Sequence, residues 1–246
     1  MIRKIVHIIY VVYAVLLFVT GLLLIFPGVL VAMFLGNPAG GNLVIHLCRL
    51  WSDCWLFVIG IRKRSIIIEP IDPKRHYVFV ANHTSYLDIP IMFQSIRKNS
   101  FRILGKSEMS KIPVFGTLYK LVVVLVDRSS NAHRAKSLET LRKTLNQNIS
   151  ILIFPEGTFN ETGKPLKHFY DGAFRIAIET ATPIKPTVYL DAIKLMHFSS
   201  PLRLKPGICR VVILPEVSVE GLTMHDLPAL KKNVHDMMEA AIRKHR

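Results

Sequence analysis

Cysteine is scarce in this chain: Cys48, Cys54 and Cys209 are the only three among 246 residues, and no two have metal-ligand spacing. An odd, scattered set in apolar surroundings argues against a disulfide framework and for free thiols in a reducing compartment, behaving as small buried hydrophobes. The ten histidines include no pair that would share one helical face with a carboxylate, so no metal site is expected. Acidic residues are also few, 17 against 32 Lys and Arg for a formal net charge of +15. Such an excess favours anionic partners: nucleic acid, acidic lipid or phosphorylated substrates. No recognisable nucleic-acid module is present, so anionic membrane lipids are the expected partner and nucleic acid is not. Low-complexity tracts, internal repeats and long linkers are absent, and with half of the residues hydrophobic the chain is not disordered.

What the chain does have is a long apolar start. From Ile5 to Phe26 only His7 and Thr20 are clearly polar, and at helical rise this run reaches roughly 33 Å, enough to span a bilayer. The Pro27-Gly28 pair followed by apolar Val29 to Leu35 leaves open a hairpin that enters one leaflet and returns. The run is too long for the core of a cleaved signal peptide. Residues 43–61 carry Arg49 and Asp53 four apart beside Trp51 and Trp55, which suits either an interfacial helix or a core helix of the following domain. Arg3 and Lys4 on one flank and Arg62, Lys63 and Arg64 on the other favour the cytoplasmic face, with an even number of crossings or none. The expected division is a membrane-anchoring segment over 1–42 and a folded domain over 43–246.

From Ser65 onward short apolar runs alternate with amphipathic ones. Ile66–Ile68, Tyr77–Ala81, Arg102–Leu104, Leu121–Val126, Ile149–Phe154, Ile184–Leu190 and Arg210–Leu214 read as strands. Helices are expected after an Asn131 cap, from Asp171, and after Thr223, each with apolar residues at spacings of three or four. This alternation predicts a single α/β domain with a partly parallel central sheet flanked by helices, and places functional residues at strand ends.

Two motifs lie at such ends. NHTSYLD, Asn82 to Asp88, follows one strand, and FPEGTFN, Phe154 to Asn160, ends another. A neutral imidazole is the side chain best suited to take a proton from an alcohol near neutrality, which makes His83 the candidate general base. A carboxylate on its other ring nitrogen fixes the tautomer and steadies the imidazolium, the role expected of Asp88. Five positions along a regular helix do not share a face, so the pair requires a turn, with Thr84 and Ser85 as caps of the helix that follows. No G-x-S-x-G sequence occurs, which favours direct attack by a substrate hydroxyl over a covalent enzyme intermediate.

Together these segments resemble the PlsC-type glycerolipid acyltransferases. Asn82, His83 and Asp88 match the family's first motif. GKSEMSKIPVFG (Gly105 to Gly116) and LVDR (Leu125 to Arg128) are similar to its second region, FPEGTFN to its third, usually FPEGTRS, and TPIKPTVYL (Thr182 to Leu190) to its fourth. The resemblance covers roughly residues 50–190 with the motifs in order. It implies that a hydroxyl of lysophosphatidic acid (1-acylglycerol 3-phosphate), deprotonated by His83 with Asp88 behind it, attacks an acyl thioester to give phosphatidic acid. It also implies that Arg128 and Lys106 face the acceptor phosphate, while Glu156, Gly157 and Thr158 shape the acceptor site. The expected donor is acyl-CoA or acyl carrier protein as co-substrate, with no cofactor, and the expected setting is the cytoplasmic face of the bacterial inner membrane. One departure is Phe159 where the family has arginine, with Asn160 after it; Lys164 and Lys167 follow as possible substitutes. The competing expectations are acylation of another lysolipid, thioester hydrolysis by water, or membrane scaffolding without catalysis.

Overall fold

The architecture comes from a computed structural model that describes residues 2–126 and 131–245, with the backbone alone over 131–136. In chain order the elements are α1 (Ile2–Leu35), α2 (Ala39–Val58), β1 (Ile61–Ile67), β2 (Val78–Ala81), α3 (Asp88–Ser95), β3 (Phe101–Lys106), α4 (Phe115–Val122), β4 (Val123–Val126), α5 (Asn131–Asn146), β5 (Ser150–Ile153), α6 (Gly172–Glu179), β6 (Ile184–Tyr189), α7 (Ala192–Leu195), β7 (Gly207–Ile213) and α8 (Leu227–His245). The strands form one sheet in the order β1-β7-β6-β2-β5-β3-β4. Every pairing is parallel except β6 with β7. The expected α/β fold is therefore the observed one.

The short apolar runs are buried on both faces, and their alternation divides the core into two layers. Phe79, Ala81 and Leu152 point into the layer beneath α2, α3 and α4. Val78, Val80, Ile151 and Ile153 point into the layer beneath α5, α6 and α8. β1 starts five residues before its expected start and takes in Arg62, Lys63 and Arg64. As an edge strand it exposes alternate side chains, so charge along it is tolerated and discourages pairing with another chain. The run from Leu121 divides differently, its first two residues closing α4 before β4 begins.

One expectation about the N-terminal region is corrected. Pro27-Gly28 does not break the helix, for α1 continues through it to Leu35. Packing on α2 holds it: Val29 and Ala32 are fully buried, and a Cβ at Gly28 would come within 2.7 Å of Leu47 Cδ1. Arg49 and Asp53, four apart on α2, bond elsewhere and not to each other. Asp53 takes a two-pronged bond from Arg97 at 2.5 and 2.6 Å, while Arg49 donates to the Asn99 carbonyl at 2.6 Å. A planar guanidinium meeting a carboxylate edge-on outcompetes a helical neighbour.

α2 is a core helix. Trp51 and Trp55 stack on each other and take the edge of Phe18 from α1, and the Trp55 indole donates to the Ala14 carbonyl at 2.9 Å. Contacts run along α1 from His7, which donates to the Leu202 carbonyl at 2.9 Å, through Tyr10 to the Ile59 carbonyl at 2.8 Å, to Ala32. Its opposite side bares an apolar stripe from Ile5 through Leu24 to Phe34, and α1 is long and apolar enough to cross a membrane. Cys48 and Cys209 are buried as expected, but Cys54 is exposed.

Candidate functional site

β2, β5 and β6 are parallel neighbours, so their C-terminal ends share one edge of the sheet, where the two motifs meet. Asn82 continues β2 by other means: its side chain donates to the Tyr189 carbonyl at 3.0 Å and accepts from the Tyr189 amide at 2.7 Å. One buried amide thereby replaces two ladder bonds and sets where the chain turns away from β6.

The turn brings His83 to Asp88, with Nδ1 donating to Oδ2 at 2.9 Å. The same carboxylate oxygen accepts from the backbone amides of Thr84 at 2.6 Å and Ser85 at 2.8 Å. Capping therefore differs from expectation. Asp88, the first residue of α3, reaches back to the amides of Thr84 and Ser85 and no side chain at Leu87 caps the helix. The Ser85 hydroxyl instead spans the Leu87 amide and the Met196 carbonyl. Asp88 is fully buried, and the His83 side chain is 19 % exposed. With Nδ1 committed to the acid, Nε2 is the nitrogen left to accept a proton.

Glu156 lies beneath this loop rather than in solvent, with 0 % exposure. Its Oε1 accepts from the His83 amide at 2.9 Å and its Oε2 from the Lys167 amide at 2.9 Å. Burial pushes its carboxyl up to about 7, against the lowering effect of the two amide bonds, and the nearby Asp88 charge adds to the rise. Gly157 turns the chain at a φ of 72°, in the left-handed region that glycine enters without strain. Thr158 is exposed, and its hydroxyl accepts from the Lys167 ammonium at 2.7 Å. Asn160 ties the loop back, its amide donating to the His83 carbonyl at 2.7 Å. Lys167 thus brings its ammonium to the FPEGTFN loop, whereas Lys164 joins that loop through its backbone carbonyl and amide.

Phe159 does not leave a gap where a cation was expected. Its ring lies 4.3 Å from the His83 imidazole, and Phe154 stacks on the imidazole at 4.2 Å. Neither contact is readable from sequence, since ring placement follows from loop closure. Lys106 ends β3 on the same sheet edge, two strands from β2 and so roughly 10 Å away. Its ammonium is exposed and the structure does not bring it against His83. Arg128 lies outside the described residues.

An imidazole with a buried acid behind it, at the open edge of a parallel sheet, is an arrangement for removing a proton from a hydroxyl. Residues 63–190, just over half of the chain, match the acyltransferase family, and the chain belongs to that family. Among its relatives, the 1-acyl-sn-glycerol-3-phosphate acyltransferase alpha of Mus musculus is 33 % identical over 189 residues, covering 74 % of this chain and 64 % of the relative. The chain therefore spans just under two thirds of that protein. The 1-acyl-sn-glycerol-3-phosphate acyltransferase of Haemophilus influenzae is 29 % identical over 208 residues, 84 % of this chain and 83 % of the relative. The crystal structure of the 1-acyl-sn-glycerophosphate (LPA) acyltransferase, PlsC, from Thermotoga maritima shares the fold, with a TM-score of 0.77 at 22 % identity, over 99 % of this chain and 98 % of that one.

Proposed function

We propose that the protein transfers a fatty acyl group from an acyl thioester to the free hydroxyl of 1-acylglycerol 3-phosphate, giving phosphatidic acid for phospholipid synthesis. The observation that carries this reading is the 2.9 Å bond between His83 Nδ1 and Asp88 Oδ2. The hydroxyl proton passes to His83 Nε2 as the oxygen bonds to the acyl carbon; the carbon–sulfur bond then breaks and the thiol leaves with the proton His83 carried. A thiolate is a good leaving group, so the site needs no strong acid for it. The relatives' activity supports the acceptor, and Lys167, Lys106 and Arg128 are the cations we assign to its phosphate. Acyl-CoA or acyl carrier protein serves as donor, with no further cofactor.

We further assign α1 to one leaflet rather than to a crossing. The helix is held against the domain from His7 to Ala32, which leaves its exposed apolar stripe to lie in the bilayer plane. Residues 1–42 then anchor the domain of residues 43–246 on the cytoplasmic face of the inner membrane, where the excess of Lys and Arg meets anionic lipid.

The test is the protein in anionic vesicles with acyl-CoA and lysophosphatidic acid, following phosphatidic acid and free thiol together. Lysolipid-dependent thiol release with matching phosphatidic acid is the expected result; thiol release indifferent to lysolipid would overturn the assignment. An acceptor panel at fixed donor, with Arg128→Ala beside the parent, tests the headgroup. Acylation of uncharged or zwitterionic lysolipids in preference to the phosphate monoester would favour the reading that Phe159 suggests, a different lysolipid acceptor.

A further inference from the structure

A base and its acid do not distinguish a lipid hydroxyl from water. Either could lose a proton to His83 and attack the same thioester, and water is far more abundant. Something must keep water from the imidazole when the donor is bound, and the polar group bonded to it, Asp88, cannot. The side chains against the His83 ring are instead aromatic: Phe154 stacks on one side at 4.2 Å, and Phe159 is backed in turn by two further rings. Phe159 sits 4.3 Å from the imidazole, Tyr86 presents its edge to Phe159 at 4.8 Å, and Phe198 lies 6.5 Å from Phe159. Tyr86, Phe159 and Phe198 pack into neither core layer, so the interior does not account for them. Tyr86 is 47 % exposed, so its ring backs Phe159 from the surface and not from the interior. The backbone just after Phe159 is fixed to the catalytic loop by the Asn160 amide on the His83 carbonyl at 2.7 Å. The Phe159 backbone is thus kept beside the base, and its ring meets the imidazole at a tilt of 51°.

We propose that Phe159, braced by Tyr86 and Phe198, shields His83 from water and thereby sets the site to acyl transfer rather than thioester hydrolysis. In transfer, the alcohol oxygen bonds to the acyl carbon, sulfur leaves and takes up the proton that His83 accepted. In hydrolysis, water's oxygen makes the same bond with the same proton path, and the products are fatty acid and thiol. Only the attacking oxygen differs, and the aromatic cover selects it by excluding the smaller, more strongly hydrated nucleophile. Phe159 does not touch the reacting atoms in this role; it positions the ring and keeps the site dry.

This inference rests on the acyl-transfer reading. The experiment measures, in anionic vesicles with labelled acyl-CoA and lysophosphatidic acid, the ratio of free fatty acid to phosphatidic acid for the parent, Phe159→Leu, Phe159→Ala and Phe198→Ala. Thermal melts show which variants are folded. The expected result is a ratio raised about tenfold in Phe159→Ala, less in Phe198→Ala, and near the parent in Phe159→Leu, which restores an apolar cover. Loss of packing alone would slow both products together and leave the ratio unmoved. An unchanged ratio in any folded alanine variant overturns the proposal while leaving acyl transfer intact. A parent that forms no phosphatidic acid from either labelled acyl-CoA or labelled acyl carrier protein instead overturns the reading beneath it.

Discussion

Glu156→Gln separates folding from catalysis in a way the geometry allows to be worked through. The parent carboxyl, raised from its ordinary 4.5 to about 7 chiefly by burial, makes its charged form roughly 3 kcal/mol less favourable in the folded protein than in the unfolded chain. Between those two pH values the unfolded chain has released the proton and the folded one still holds it. Stability from this group is therefore present in full below 4.5 and falls as pH rises, with roughly 3 kcal/mol gone above pH 7. A glutamine does not titrate and lacks that slope. Its amide nitrogen, however, must face one of the two backbone amides now satisfied at 2.9 Å, leaving a buried donor unpaired at about 1–3 kcal/mol. The variant should accordingly be less stable than the parent near pH 4.5 and as stable or more stable at pH 8. Urea midpoints in detergent, taken for both proteins across that range, cancel every titration the two share. Activity depends on which amide loses its acceptor: release of the Lys167 amide leaves the base in place, whereas release of the His83 amide misplaces it at a cost of up to about 10²-fold at pH 8. A stability difference that stays flat from pH 4.5 to 8 would refute the reasoning.

Three further outcomes follow from particular contacts. His83→Ala should lower acyl transfer by about 10² to 10⁴ while leaving the melting temperature near the parent's, and a folded variant of near-normal turnover would end the general-base assignment. Asn82→Ala strips both partners from the buried Tyr189 peptide group; urea unfolding should show a loss of about 2–4 kcal/mol, with a smaller change indicating that water reaches the site. Gly41→Ala would ordinarily strengthen a helix by about 1 kcal/mol. Here the new methyl meets the Arg102 guanidinium and the Leu121 carbonyl oxygen, the latter at 2.7 Å, so a lower melting temperature is expected and a higher one would contradict the close packing.

How much of this was legible in the chain depends on the range of the interaction. The strands could be read because Val78 to Ala81 and Ile151 to Ile153 are buried on both faces, and a run without polar interruption states that directly. β1 was less visible, since its exposed positions carry the cations of an edge strand. The Pro27-Gly28 pair misled for a related reason: local propensity favours a break there, but burial of Val29 and Ala32 against α2 outweighs one missing hydrogen bond.

The site divides along the same line. His83 and Asp88 are five residues apart, so their pairing could be inferred from the spacing once a turn was granted. Glu156, 73 positions away along the chain, carried no local sign that it would accept the His83 amide, and only the family resemblance placed it near the acceptor site. The position of Phe159 was misleading in another sense. Set against a family pattern it read as a missing cation, a loss, because a pattern records which residue is absent and not what the replacement touches. In the folded chain the replacement lies on the imidazole and the nearby ammonium comes from Lys167, eight positions later. The Lys167 ammonium reaches the Thr158 hydroxyl of that loop, while the vacated position sets a ring against the imidazole, a contact of shape that no count of charges would disclose.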